Sequence, residues 1–205
     1  GVLFMFIATI CFSLMHALIR HMSGELHPFE LAFFRNLFGL LVVLPWFVRY
    51  GLRPLKTKRL SLHAIRAGIN VTAMLMFFYA LSVTPLADVA ALSFTAPIFA
   101  TVLAVLILGE IVGPRRWAAI LFGFCGTLVL LRPGFEIVTY GQILVVVSAS
   151  FWACALIVIK ILARTESSVT IITYLILLMA PLSAIPAAMV WSTPSVEQLG
   201  VMALM

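Results

Sequence analysis

Charged residues are scarce in this sequence. They make up 10% of its 205 residues, whereas apolar residues make up 64%. A soluble domain carries about 25% charged and about 45–50% apolar residues, because its surface must be hydrated. The composition therefore excludes an ordinary water-soluble domain and predicts a chain embedded in lipid.

Cysteine is also sparse. The three cysteines, Cys11, Cys125 and Cys154, each lie inside an apolar run, and no CxxC or Cys/His spacing accompanies them. A disulfide framework and a zinc site both need such spacing. We therefore expect no metal site and no cofactor, and we interpret the cysteines as small packing residues.

Catalytic and nucleic-acid signatures are missing as well. The sequence contains no H-E-x-x-H, no G-x-S-x-G, no P-loop and no cluster of carboxylates, so we expect that it is not an enzyme. The net charge of +6 does not indicate nucleic-acid binding, because the basic residues lie in short loops between apolar runs. Membrane topology accounts for basic residues in such loops.

Long apolar runs dominate what the sequence does contain. A helix needs about 20 predominantly apolar residues to cross a bilayer. Seven runs meet that length approximately and an eighth begins near the end, which predicts an all-α integral membrane protein. The predicted spans are residues 1–19, 28–48, 62–81, 85–109, 116–131, 140–163 and 168–191, followed by 196–205.

The fourth run, residues 85–109, organises the rest of the chain. Its helix would be roughly 37 Å long, enough for a bilayer core of about 30 Å. A turn ends at Thr84, which suits an N-cap, and Pro85 suits the first helical position. Pro97 falls at the midpoint and predicts a hinge. Two interpretations remain open, a packed kink and a hinge that lines a cavity.

The lysine and arginine residues of the loops are distributed unequally between the two sides. Ten belong to one side and two, Arg20 and Arg132, to the other, while Arg35 is embedded. Because cytoplasmic loops are enriched in positive charge, we expect a multi-pass protein of a bacterial inner membrane with a cytoplasmic N-terminus. The ten are Arg49, Arg53, Lys56, Lys58, Arg59, Arg66, Arg115, Arg116, Lys160 and Arg164.

An internal repeat is visible at an offset of 140 residues. The segment 12–20 resembles 152–160, Pro28 corresponds to Ser168, and Pro45 lies one residue from the counterpart of Pro186. Five spans separate the copies, so the second copy is inverted in the membrane. We predict two repeat units, residues 1–132 and 139–205, with a substrate site near the midplane.

These features together resemble the drug/metabolite transporter superfamily, EamA type. The resemblance implies ten helices in two inverted five-helix halves, which move small metabolites through a central cavity by alternating access. About seven and a half helices are present, and we expect a longer natural protein because the sequence begins and ends inside apolar runs. The residues that carry the resemblance are Phe12-Ser13, Arg20, Pro28, Arg35, Tyr79-Ala80-Leu81, Thr84-Pro85, Ala90-Ala91, Pro97, Leu108-Gly109-Glu110, Trp117, Gly123, Gly126, Trp152 and Lys160.

Ionisable residues within spans are candidates for the substrate site. Arg35 suits an anion ligand in the cavity, with a structural pair to Glu30 or Asp88, or snorkelling, as alternatives. Asp88 could face the cavity or pair with Arg35, and a helix-capping role is favoured for Glu30. His16 could relay protons or bind substrate, or form a hydrogen bond between helices.

Further cavity candidates are Asn70, Tyr79, Phe94 and Trp152, although aromatic residues also pack bundles and form interfacial belts. We expect a secondary transporter for a small polar metabolite such as an amino acid, an organic acid or a nucleotide-like compound. The alternatives are an assembly or sensor protein and a lipophilic-drug exporter. The expected partners are the substrate and the bilayer, without nucleic acid, in a monomer or homodimer.

Overall fold

The computed structural model describes residues 2–51, 55–131 and 138–204, and within these ranges it contains helices and no strand. Five described segments are long and apolar enough to span a membrane, one of which is broken in the middle. The helices are α1 (Val2–Met22), α2 (Pro28–Tyr50), α3 (Leu60–Val83), α4 (Leu86–Ser93), α5 (Ala96–Leu108), α6 (Pro114–Leu131), α7 (Tyr140–Leu162), α8 (Ser168–Met189) and α9 (Val196–Ala203).

Helix boundaries agree with the predicted spans to within three residues, apart from the fourth span. Apolar runs give good boundaries here because turn residues and charges separate them sharply. The predicted loop positions of Arg53, Arg132, Pro133 and Gly134 lie outside the described residues, as does Met205.

The fourth predicted span is confirmed, since Leu86–Leu108 is long and apolar enough to cross a membrane, but its description as one kinked helix is wrong, because α4 and α5 are separate helices. The N–H groups of Phe94 and Thr95 donate to the carbonyls three residues before them, at 3.1 and 3.0 Å, which forms a tight turn. The break therefore precedes Pro97, which is the second residue of α5. A proline fits a first helical turn because its missing N–H needs no partner there.

The predicted N-cap at Thr84 is also wrong. The preceding helix, α3, extends to Val83, and Thr84 caps its C-terminus with its N–H donating to the carbonyl of Ala80 at 2.9 Å. Thr84 is extended, at φ −121° and ψ 143°. A residue before proline is disfavoured in the helical region, so Pro85 separates the two helices instead of opening the second.

The third helix, α3, lies at the centre of the bundle and packs mainly against α7 and α8, with further contacts to α1 and α2. Its fully buried residues include Ala73, Phe77 and Leu81, and α7 contributes Ala149 and Ala153. Small residues let helices approach closely, which is how membrane helices gain packing contacts.

The turn after α1 and the turn after α7 have the same backbone hydrogen bonds. Ser23 N–H donates to the carbonyl of Ile19 at 2.9 Å, and Ala163 N–H donates to that of Ile159 at 2.8 Å. These two bonds are related by the 140-residue offset of the predicted repeat. The next bonds correspond in the same way, from Gly24, Glu25 and Leu26 in one turn and Arg164, Thr165 and Glu166 in the other. The division into two repeat units stays a prediction.

Polar bridges tie distant segments together at the two ends of the bundle. We call the end where α3 begins the inner end, because the charge pattern predicts that it is cytoplasmic, and the opposite end the outer end. Each bridge joins segments predicted to lie on the same side. The inner bridges are Thr57–Glu166, Tyr174–Leu55 and Lys160–Glu110, and the outer bridges are Ser192–Glu30, Gln198–Glu25, Gln142–Asp88 and Arg20–Thr84.

Candidate functional site

A cavity of about 300 Å³ lies between α1, α2, α3, α7 and α8. Its wall combines one arginine, one histidine and one asparagine with aromatic rings, methionines and a leucine. We call it the central cavity. The residues that line it are Phe12, Met15, His16, Arg35, Asn70, Met74, Phe77, Phe78, Trp152, Leu175 and Met179.

Arg35 is the cation of the central cavity. It lies roughly 10 Å from the start of α2 at the helical rise, and its Nη1 donates to Met74 Sδ at 3.1 Å. A thioether sulfur is only a weak acceptor. Among the described residues no carboxylate lies within ion-pair distance of the guanidinium. Arg35 therefore retains most of its donors for an anion, and the predicted pairs with Glu30 and Asp88 do not form.

Both of those carboxylates are used at the outer end. Glu30 is fully buried, accepts from the N–H of His27 at 3.2 Å and from Ser192 Oγ at 2.9 Å, and also contacts the N–H of Ser192. The first bond is the helix-capping role predicted for it. Asp88 accepts from Gln142 Nε2 at 3.0 Å. Glu30 thus joins α2 to the turn before α9, and Asp88 joins α4 to α7.

Three rings form one wall of the central cavity. The ring centroids of His16 and Phe77 are 5.1 Å apart, and those of Phe77 and Trp152 are 4.8 Å apart. The planes are tilted by 58° and 55°, which falls within the favourable range for ring pairs. The rings connect α1, α3 and α7, so the wall can contact a planar ligand and also holds three helices in register.

Asn70 completes the polar part of the wall. Its Nδ2 donates to the carbonyl of Arg66 at 2.9 Å, one turn earlier on α3. Four of the seven predicted site residues, His16, Arg35, Asn70 and Trp152, therefore meet around one cavity. That they bind substrate stays a prediction.

The other three predicted site residues lie elsewhere. Tyr79 lines a second cavity of about 400 Å³ with Phe29 and Tyr140. Asp88 lies at the outer end, and Phe94 is 64% exposed at the break between α4 and α5. Pro97 is exposed next to that break. The structure does not bring these residues to the central cavity.

Sequence reasoning missed Met74, Phe77 and Met179 in the cavity wall. The spacing along α3 did contain a signal, because Met74 and Phe78 follow Asn70 at intervals of four residues and therefore lie on the same helix face. The sequence alone does not show which face of α3 turns inward, because that depends on the neighbouring helices.

No metal site is evident in the described ranges, because they contain no group of three or more His, Cys, Asp or Glu side chains that could hold an ion.

Comparison with known proteins shows which family has this architecture. Residues 1–132 match the EamA-like transporter family. The chain belongs to this family. The match confirms the resemblance drawn from the sequence, and it agrees with the prediction that the protein is a multi-pass membrane protein and not an enzyme.

Several relatives align over most of the chain. The chain is 30% identical over 202 residues to the S-adenosylmethionine uptake transporter of Rickettsia prowazekii, covering 98% of this chain and 69% of the relative. It is 32% identical over 183 residues to that of Rickettsia bellii, covering 89% of this chain but only 63% of the relative. It is 30% identical over 199 residues to the riboflavin transporter of Vibrio cholerae, covering 95% of this chain and 67% of the relative.

A solved structure has the same fold. It superposes with a TM-score of 0.69 over 97% of this chain and 72% of its own length, at 23% sequence identity, and is described only as "Crystal structure of protein". At that identity the similarity establishes the fold alone. Together with the EamA-like family match, it confirms the all-helical drug/metabolite transporter fold.

Proposed function

We propose that the protein is a secondary transporter for a small metabolite that combines a planar ring with one anionic group. The observation that carries this proposal is the central cavity, where Arg35 lies beside the ring wall of His16, Phe77 and Trp152 and has no carboxylate partner in the described part of the chain. Relatives named as S-adenosylmethionine uptake and riboflavin transporters support a small-metabolite substrate.

Recognition would use two kinds of contact. A guanidinium presents a planar fork of N–H donors that matches a carboxylate or a phosphate. A charge-assisted hydrogen bond in a site with little water is worth about 1.5–3 kcal/mol, or roughly 10- to 100-fold in affinity. The ring wall adds stacking and apolar contact, which does not depend on charge. The two contributions can therefore be removed separately.

Alternating access would use the bridges at the two ends. The inner and outer bridges are both formed in this structure, and the central cavity lies between them. Release of Glu30 from Ser192 would open the outer end, and release of Glu166 from Thr57 would open the inner end. The predicted inverted halves would supply the two equivalent motions. The location in a bacterial inner membrane and the cytoplasmic N-terminus are part of this proposal.

A lipophilic-cation exporter is the weaker candidate. A cationic ligand in this cavity would lie against the Arg35 guanidinium, whose charge no carboxylate of the described residues neutralises. Like charges at short range disfavour such binding. In addition, α1 contains no acidic residue that could bind a cation or exchange it for a proton.

The test is equilibrium binding to the purified natural full-length protein in nanodiscs. Ligands are S-adenosylmethionine, riboflavin, riboflavin phosphate and tetraphenylphosphonium. We expect riboflavin phosphate to bind about tenfold or more tightly than riboflavin, because Arg35 pairs with the phosphate. Arg35→Gln should abolish this preference, whereas Trp152→Ala should weaken both flavins equally.

Matched controls exist for both substitutions. Lys160→Gln removes a positive charge that lies at the inner end, paired with Glu110 at 2.8 Å. Phe94→Ala removes an exposed aromatic ring. Both should leave the affinities unchanged. Tighter binding of tetraphenylphosphonium than of any other ligand, or a phosphate preference that survives Arg35→Gln, would contradict the proposal.

A further inference from the structure

Arg66 is a second arginine inside a membrane-spanning helix, and unlike the half-buried Arg35 it is buried and lies outside the central cavity. The sequence placed it at the edge of a loop, but it is the seventh residue of α3 and only 5% exposed. At the helical rise it lies roughly 9 Å from the start of the helix. A charged side chain at such a place is costly and calls for a partner.

The partners that Arg66 has do not neutralise it. Its Nη1 donates to the carbonyl of Ile171 on α8 at 2.8 Å, and its Nε has no hydrogen-bond partner within the described ranges. Among the described residues no carboxylate lies within ion-pair distance. The bond to Ile171 ties α3 to α8, but it uses one N–H of five and leaves the charge uncompensated.

His63 is unpartnered in the same place. It is 1% exposed, and no described residue forms a hydrogen bond with its Nδ1 or Nε2. Its ring stacks on Tyr174 at 4.6 Å with an interplanar angle of 25°, which fixes the imidazole plane. Residues three apart share a helix face, so His63 and Arg66 are neighbours on α3. Buried polar groups normally have partners, and three unpaired nitrogens at one place indicate a missing one.

The pair lies on the same helix face as the central cavity wall. Arg66, Asn70 and Met74 recur at i, i+4, so each step is roughly 6 Å along α3. Asn70 donates to the Arg66 carbonyl, and Met74 accepts from Arg35. One face of α3 therefore connects the two arginines, at levels roughly 12 Å apart along the helix axis.

We propose that Arg66 and His63 form a second anion-binding site between the inner end and the central cavity, which the anionic group of the substrate meets on its way through. The site takes a carboxylate or phosphate, which Arg66 Nε and one imidazole N–H would bind. Its role in transport rests on the proposed function, whereas the binding of a simple anion does not.

Inorganic phosphate is the probe for this site. The natural full-length protein in detergent is heated in chloride and in phosphate at equal ionic strength and pH 7. A ligand that binds the folded state raises the unfolding midpoint by mass action. We expect phosphate to raise the midpoint of the wild type, and Arg66→Gln to lose at least half of that rise.

Two further variants keep the test decisive. His63→Phe retains the stack on Tyr174 and should also lose part of the phosphate effect, even if Arg66→Gln does not fold. Lys160→Gln, which removes an exposed charge at the same end, should retain all of it. An equal phosphate effect in wild type and His63→Phe, or in wild type and a folded Arg66→Gln, overturns the proposal.

The flavins separate this proposal from the proposed function. If the phosphate effect requires Arg66 but neither flavin binds, the second anion site stands and the proposed function fails. If riboflavin phosphate binds through Arg35 while the phosphate effect is independent of Arg66 and His63, the proposed function stands and the second site fails.

Discussion

Gly141, at the start of α7, lies where a side chain has no room. A Cβ atom built on it would overlap Thr84 Oγ1 and come within 2.9 Å of Val83 Cγ2. Because Thr84 and Val83 form the junction of α3 and α4, the backbone of α7 approaches that junction directly. The close contact positions the ring wall, since Trp152 lies three turns further along α7.

We expect Gly141→Ala to destabilise the protein by about 1–3 kcal/mol, the range for overpacking a well-packed site. Gly68→Ala on α3 is the matched control, because a Cβ there meets nothing within 4 Å. In a helix interior that change should be neutral or stabilising by up to about 1 kcal/mol. Thermal unfolding in detergent measures both, and equal midpoints for the two variants would refute the account.

The depth of a residue within a span, which the sequence shows, indicates whether it lies near the middle of the bundle. Arg35, His16, Asn70 and Trp152 lie well inside spans, and all four line the central cavity. Depth does not show which way a side chain points, because that depends on how the helix is rotated about its axis. Phe94 lies on a span as well, yet it is exposed, and Arg66 was assigned to a loop because hydropathy does not show that a charge packs against a neighbouring helix.

At the scale of the helix, the break between α4 and α5 distinguishes Pro97 from the other prolines. Pro45 in α2, and Pro181 and Pro186 in α8, lie inside helices that remain continuous. At the break, Thr95 Oγ1 donates to the carbonyl of Leu92 at 2.6 Å, in addition to the tight turn of the backbone. Pro97 lacks the N–H that would donate to the carbonyl of Ser93 in a continuous helix, and Thr95 stabilises the turn that replaces it.

Pro97→Ala restores the N–H that a continuous helix over 86–108 needs. We expect the variant to unfold at a higher temperature, and to exchange substrate several-fold more slowly if the break acts as a hinge. Ligand affinity should not change. Pro181→Ala is the control for a helix proline outside a break. Wild-type exchange rates in Pro97→Ala would exclude the hinge.

Helix ends were only partly predictable. Hydropathy located most helix ends to within three residues, and capping patterns in the sequence define two helix starts more sharply. Thr139 with Gln142 and Ser195 with Gln198 form capping boxes that fix the starts of α7 and α9. Both match the S/T-x-x-Q pattern and are visible in the sequence. The tight turn before Pro97 has no such sequence pattern, because it is formed by the backbone hydrogen bonds of Phe94 and Thr95.

At the scale of the whole molecule, polar bridges join distant segments at both ends of the bundle, and the central cavity between them contains Arg35, for which the described residues supply no carboxylate partner. The bridges of Glu30 and Glu166 join segments far apart in sequence, and no periodicity of the chain predicts such pairs.

The Glu110–Lys160 pair differs from these bridges because both of its side chains are exposed. Hydrogen bonds from Lys160 lower the pKa of the Glu110 carboxyl, so the pair is formed at neutral pH and lost as pH falls through that lowered pKa. A surface pair of this kind contributes little to stability.

Counterflow tests the central claim most directly, because it separates a carrier from a protein that only binds its ligand. Proteoliposomes containing the natural full-length protein are loaded with unlabelled riboflavin phosphate, and labelled riboflavin phosphate is added outside. We predict transient accumulation of the label above equilibrium, about tenfold or more faster than for riboflavin and without this preference in Arg35→Gln. Binding of riboflavin phosphate with no accumulation of label would contradict a carrier and would indicate a sensor or assembly protein.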